Sequence, residues 1–301
     1  SFAVDLTKND WRQVGADING VAADDDTGYS VSLSKNGKTM AIGARYNDAK
    51  GSDSGHVRVY VRDPNNANNW NQLGGDIEGE ATDDESGYSV SLSGDGTTVA
   101  IGARYNDGVN GSDSGHVRVY VRDARKLFDQ TDQTQPNYGP VGWNRVGEDI
   151  DGEAKYDESG NAVTLSYDGT IVAIGAIGND GNGTRSGHVR VYVRDASNNW
   201  NQLGGDIDGE RDGDKSGYSV SLSGDGTTVA IGAIYNDGVN GENTFSGHVR
   251  VYEFVDVVGN IPAYWSKVGT GIVGELVYIQ SGFSVSLSAD GTTVAIGAPY
   301  N

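Results

Sequence analysis

The sequence predicts an all-β fold, a five-bladed β-propeller of four-stranded antiparallel blades, and three observations predict it. One motif is written five times across the 301 residues, each copy carries period-two apolar stretches with no helical period, and length changes fall only outside a fixed frame. Trp11, Trp70, Trp143, Trp200 and Trp265 open the copies; the glycine of an SGY-type tripeptide follows 17 residues later in every copy, and the alanine that begins AIGA comes 13 residues after that. A unit of roughly 60 residues with short strands cannot bury both its faces alone, so neighbouring copies must cover one another and residues 1–301 are expected to form one domain.

The elements read off in order. In the second copy Tyr88, Val90 and Leu92 alternate with Ser89, Ser91 and Ser93, giving a first strand with one bulky and one small face. Asp95-Gly96 follows, a strong hairpin signal that recurs as Asn36-Gly37, Asp168-Gly169, Asp225-Gly226 and Asp290-Gly291. Strand two, TTVAIGA, sets Val99 and Ile101 against the small Ala100 and Gly102, which suits a crowded position. Strand three, HVRVYVR, places Val117, Val119 and Val121 on one face and His116, Arg118, Tyr120 and Arg122 on the other. Strand four begins at the tryptophan and runs through Leu73 toward Ile77. Four such strands repeated around an axis describe propeller blades; a solenoid, the rival, would not need an Asp-Gly hairpin in each repeat. The fifth copy stops at AIGAPYN, and SFAVDL stands before Trp11 where HVRVYVR stands before the later tryptophans. Residues 1–10 are therefore expected to complete the last blade and close the ring without an open edge; the alternative is that the 301 residues belong to a longer propeller.

A net charge of −20 repels phosphate backbones and argues against nucleic acid as a partner. Cysteine is absent, which removes disulfide and thiolate chemistry, and no apolar run is long enough for membrane insertion. Glycine-aromatic-Ser-Val, an apolar strand ending in Gly-Ala, and Gly-x-Val-x-Val-Tyr together resemble the FG-GAP repeat of integrin α-subunit propellers, over essentially the whole chain. SGFSVSLSADGTTVAIGAPYN comes closest. The resemblance implies an extracellular or cell-surface protein that recognises a protein or glycan ligand. In that family calcium sits in an Asp-x-Asp-x-Asp-Gly loop between the first two strands of certain blades; here every copy has a bare turn, so those ligands have nothing to map onto.

Charge nevertheless collects on one face. Between the isoleucine of strand four and the SGY glycine the copies carry −3, −5, −3, −2 and −1, fourteen of the twenty net negative charges. Asp24, Asp25 and Asp26, then Glu80, Asp83, Asp84 and Glu85, then Asp157 and Glu158, then Asp212 and Asp214 contribute most. Asp48, Asp107, Asp180 and Asp237, in the Asn-Asp loops after AIGA, share that face. Ca2+ is the candidate ion for these oxygen-rich loops, with Asp24, Asp26, Asp83, Asp84, Glu85, Asp107, Asp157, Asp180, Asp212, Asp214 and Asp237 as ligands; the competing reading is turn capping and solvation.

His56, His116, His188 and His248 occupy one repeat position and read as side chains packed between blades with Arg58, Arg118, Arg190 and Arg250. Catalysis needs a one-off constellation, whereas nearly everything polar here is repeated. The expectation is thus a protein that is not an enzyme: a non-catalytic extracellular binding or adhesion propeller, with a structural subunit of a fibre, shell or surface layer as the alternative. The one-off features are the 124–142 insertion, whose Phe128 and Tyr138 are expected to contact a partner or a second copy, and Asn161, which stands where the other copies have Tyr or Phe. Asn110 and Asn182 are glycosylation acceptors if the protein is secreted by a eukaryote.

Overall fold

The computed structural model describes residues 3–5, 12–66, 68–131, 135, 138–238, 245–257, 259 and 262–301; Trp11 lies outside them. All its regular elements are β-strands, and no helix occurs among the described residues. The first complete blade runs β3 (Ser30–Leu33), β4 (Thr39–Ala44), β5 (His56–Arg62) and β6 (Trp70–Gln72), antiparallel throughout, with β7 (Ile77–Glu78) pairing further along β5. The second, β8 (Ser89–Leu92) to β12 (Ile150–Asp151), and the third, β13 (Ser159–Leu165) to β17 (Ile207–Asp208), repeat that plan. The fourth comprises β18 (Ser216–Leu222), β19 (Thr228–Ala233), β20 (His248–Val255) and β21 (Tyr264–Val273). Repeated four-stranded antiparallel sheets fit a propeller. The expected fourth strand is two strands in the first three blades, because the chain leaves the sheet at the Gly-Gly or Gly-Glu step between tryptophan and isoleucine and then rejoins it.

At the ends, β22 (Ser284–Leu287) pairs with β23 (Val294–Gly297), and β1 (Ala3–Asp5) pairs with β2 (Arg12–Val14). The pairing of β1 with β23 that would close a ring is not among those of the described residues. Val31 and Leu33 of β3 are 56% and 53% exposed, whereas their counterparts Val90 and Leu92 are 9% and 7% exposed. The face of the first blade that carries Val31 and Leu33, the counterpart of the seam face of the second blade, is thus exposed.

The core lies between blades. Val57 and Val59 pack with Val90, Leu92, Val99 and Ile101 of the next blade, and the same valines and their neighbours fill the two following seams. The small face of strand one makes the polar half of each seam: Ser89 Oγ donates to the Gly160 carbonyl at 2.7 Å, and Ser91 Oγ accepts from Leu165 N at 3.0 Å. The tryptophans stitch consecutive fourth strands, with Trp143 Nε1 donating to the Leu73 carbonyl at 2.9 Å and Trp200 Nε1 to that of Val146 at 2.9 Å. AIGA and the SGY glycine meet here: a Cβ on Gly102 would collide with the Gly160 carbonyl, so only glycine lets these backbones approach. In the hairpin turn, Gly96 takes a φ of 74° while Asp95 Oδ1 accepts from Thr97 N at 2.9 Å.

Candidate functional site

Strand three sends its histidine and arginine into a charged layer above each apolar seam. Two acids can reach them: an aspartate six residues after the tryptophan of the same blade, and a glutamate three residues after the isoleucine that precedes that blade's first strand. The first blade has Asp76 but Val21 in place of the glutamate, and Arg58 grips Asp76 through Nε at 2.9 Å and Nη2 at 2.6 Å. The fourth has Glu210 but Gly271 in place of the aspartate, and Arg250 pairs with Glu210 at 2.8 Å. Only the second and third blades have both acids, and Glu80, His116 and Asp149, and likewise Glu153, His188 and Asp206, bring their ligand atoms within 4.8 Å of one another. These are groups that could hold a metal ion. In the second blade Arg118 fills the space, bonding Asp149 through Nε and Nη2 at 2.9 Å each and pairing with Glu80. Burial opposes ionising Asp149, but the Arg118 guanidinium outweighs it and holds the carboxyl below its ordinary value.

The four histidines are buried, as expected of side chains packed between blades. Burial, seconded by Arg118, Arg190 and Arg250 respectively, lowers His116, His188 and His248 to about 4, so all three are neutral at neutral pH.

The expected calcium ligands lie in separate loops, blade by blade. Asp84, Asp157 and Asp214 are buried, and each turns one oxygen inward to its own loop. Asp214 Oδ2 accepts from Glu210 N at 3.2 Å, Arg211 N at 3.1 Å and Asn236 Nδ2 at 2.8 Å. Burial raises the carboxyls of Asp84 and Asp214. Asp107, Asp180 and Asp237 accept from the backbone N–H groups of Asp113 (3.0 Å), Arg185 (2.7 Å) and Phe245 (3.1 Å). Asp26 pairs with Arg45 at 2.9 Å and Glu85 with Arg104 at 3.1 Å, while Asp24, Asp83 and Asp212 are exposed. Asn110 and Asn182 use their amides to donate to the carbonyls of Gly152 (2.7 Å) and Gly209 (3.0 Å). Asn161 Nδ2 donates to the Tyr218 carbonyl at 3.1 Å, joining the third and fourth blades.

The 124–142 insertion is partly a built structure. Gln130 and Gly139 exchange backbone hydrogen bonds at 2.9 and 3.0 Å, Asp129 Oδ1 accepts from Val141 N at 2.8 Å, and Lys126 Nζ donates to the Trp143 carbonyl at 2.8 Å. Its described residues form a partial roof over a cavity of about 550 Å³, open to solvent, between the first and second blades, with the Gly75–Glu80 segment and Tyr120 as its floor. Tyr138 lines this cavity, whereas Phe128 is 81% exposed and stands apart from it. Lys50 bridges the wall, its Nζ 3.0 Å from Glu78, and is raised by that hydrogen bond first, with smaller contributions from Tyr138 and Asp129. The next seam has a smaller recess of about 310 Å³ between Asp151, Tyr192 and Trp200.

Sequence reasoning anticipated the histidine–arginine packing and singled out Tyr138, but missed Asp149, Asp206 and Glu153. The signal was there: the aspartate and glutamate positions drop out independently in different copies, so the blades holding both could be picked out by register alone.

The FG-GAP repeat model matches residues 19–60, 78–120 and 208–252. No curated protein matches the chain significantly. Among solved structures, Sqt1 from Chaetomium thermophilum superposes with a TM-score of 0.52 at 16% identity, covering 91% of this chain and 56% of that one. A periplasmic gluconolactonase from Pseudomonas aeruginosa gives 0.49 at 17% identity, with 89% and 64% covered. A putative 6-phosphogluconolactonase from Bacteroides uniformis gives 0.45 at 11%, with 89% and 77% covered. The chain therefore spans under two thirds of the gluconolactonase and of Sqt1. The likeness to Sqt1, at 16% identity, is one of fold alone and corrects the expected function: neither adhesion, nor a structural role, nor the absence of catalysis follows from this fold, and the reading of a non-catalytic adhesion or structural module is withdrawn. The chain carries FG-GAP repeats at three places within repeated four-stranded blades, and this is the extent of its family assignment.

Proposed function

We propose that the chain is a small-molecule-binding propeller whose ligand site is the roofed seam between the first and second blades. The observation that carries this is the coincidence of the 550 Å³ cavity with the long insertion. A volume of that size lies in the range of small-molecule sites, which runs from about 300 to 1,000 Å³. The insertion's own hydrogen bonds argue for a formed roof rather than a drifting loop.

The wall selects the ligand class. Asp76, Glu78, Glu80 and Asp129 line it with one cation among the described lining residues, Lys50, while Arg58 and Arg118 meet Asp76 and Glu80 from within the blades. Tyr120 and Tyr138 add aromatic walls. Burial raises the Tyr120 hydroxyl to about 12, so it stays a neutral phenol. Carboxylates in excess beside aromatic rings suit an amine-bearing molecule, whose ammonium gains from both; cation–π attraction alone contributes about 0.5–2 kcal/mol.

Isothermal titration with putrescine and trimethylglycinamide as amine probes, and glucose and malate as neutral and anionic controls, tests the reading. Amine binding that Tyr138→Ala and Asp129→Asn weaken by about fivefold or more supports it. Preference for malate, or amine binding indifferent to both substitutions, contradicts it.

A further inference from the structure

The third blade differs from the second in one respect that has chemical weight. Arg118 closes the gap between Glu80 and Asp149, and a second arginine, Arg145, bonds Asp149 through Nη1 at 2.9 Å. In the third blade the position of Arg145 is Gln202, which donates to Asp206 Oδ1 at 2.6 Å. Arg190 has turned away: its Nη2 donates to the Asp151 carbonyl at 2.6 Å, and its Nη1 stands 3.5 Å from Glu153. His188 is left 1% exposed with neither ring nitrogen hydrogen-bonded, its Nδ1 3.9 Å from Glu153 Oε2.

A buried imidazole without a partner is costly, at about 1–3 kcal/mol for each unsatisfied polar group. This one faces two carboxylates, and Arg190 reaches Glu153 at 3.5 Å without bridging it to Asp206 as Arg118 bridges Glu80 and Asp149. We propose that Glu153, His188 and Asp206 form a binding site for a divalent transition-metal ion, Zn2+ being the ion whose ligand preferences they meet. One imidazole nitrogen with two carboxylate oxygens belongs to the ligand sets of zinc, whereas calcium takes six to eight oxygens. Tetrahedral bonds of about 2.0–2.2 Å place ligand atoms about 3.4 Å apart. The three atoms, within 4.8 Å of one another, close that difference by rotamer changes of Glu153 and Asp206, both solvent-facing, while His188 stays fixed by burial. Three protein ligands leave a fourth position open, the pattern of zinc sites that take water or substrate. The recess at Asp151 and Tyr192 lies on the same seam. This site is separate from the roofed cavity and stands or falls independently of it.

The test uses the full chain without an affinity tag. Titration calorimetry with Zn2+ should give one site per chain, weakened at least about tenfold in Asp206→Asn and in Gln202→Arg, the latter restoring the second blade's pattern, and unchanged in His116→Gln. Co2+ should give a tetrahedral visible absorption spectrum that Asp206→Asn abolishes. Asp206 and Gln202 are exposed or half-exposed, so both variants should keep the parent's circular dichroism and melting temperature in chelator, which separates loss of a ligand from loss of fold. No Zn2+ binding, an affinity unaffected by either substitution, or preference for Ca2+ over Zn2+ overturns the proposal.

Discussion

Replacing Asp214 with alanine probes how the acidic loops are held. One carboxylate oxygen, on a residue 2% exposed, accepts from Glu210 N, Arg211 N and Asn236 Nδ2, and so ties the loop before the blade's first strand to the loop after its second. A hydrogen bond to a charged group contributes about 1.5–3 kcal/mol, and three would give several kcal/mol. Two effects reduce this. Water can reach the exposed Arg211 end of the loop, and removal of the carboxylate relieves the burial penalty that raises its pKa. The net expectation is a loss of about 2–3 kcal/mol for Asp214→Ala and about 1 kcal/mol for Asp214→Asn, which keeps an acceptor oxygen. Because a repeat array can unfold in parts, urea unfolding should be paired with amide exchange, in which Glu210 and Arg211 lose protection first. The loss should be the same in calcium and in chelator. A change below about 0.5 kcal/mol, or one seen only with calcium present, would refute the capping account and favour an ion.

Two further perturbations follow from the seams. Gly102→Ala sets a methyl group against the Gly160 carbonyl, a backbone atom that cannot swing aside, and should cost about 3 kcal/mol in urea unfolding; a loss under about 1 kcal/mol would mean the blades can separate without penalty. The buried histidines set a pH dependence. Their folded pKa values near 4 lie below the ordinary 6.5, so the unfolded chain takes up protons that the folded chain refuses. Stability should therefore fall as pH drops from about 6.5 toward about 4, with no further loss from these groups below that. Asp84 and Asp214, raised by burial, bind protons earlier when folded and offset part of the fall. A urea midpoint that stays level or rises between pH 7 and pH 5 would contradict this sign.

Most of the blade was legible because the period of two survives in all five copies of strands one and two and in four copies of strand three, and the Asp-Gly turn has one dominant conformation. Val57, Val90 and Val117 were readable as core by alternation alone. The split fourth strand was not, since Gly74 and Gly75 break the ladder where the apolar pattern continues through Leu73 to Ile77. Nor could the serine face be read as a seam: Ser89 and Ser91 alternate as solvent-facing residues do, and only the neighbouring blade shows that they bond Gly160 and Leu165. Asp107, Asp180 and Asp214 are acids in the acidic face, yet each accepts from its own loop, while the acids that meet histidine, Glu153 and Asp206, are separated by 53 positions and come together through seam register.

Repeated residues build the seams, and a seam whose arginine leaves its histidine and both acids unbridged carries the chemistry. A crystal structure of the zinc-soaked protein, with data on both sides of the zinc absorption edge, tests this most directly. The predicted result is one anomalous peak bounded by Glu153, His188 and Asp206, with Arg118 still closing the corresponding gap one blade earlier. Arg190 found on Asp206, with His188 hydrogen-bonded and no peak at that seam, would contradict it.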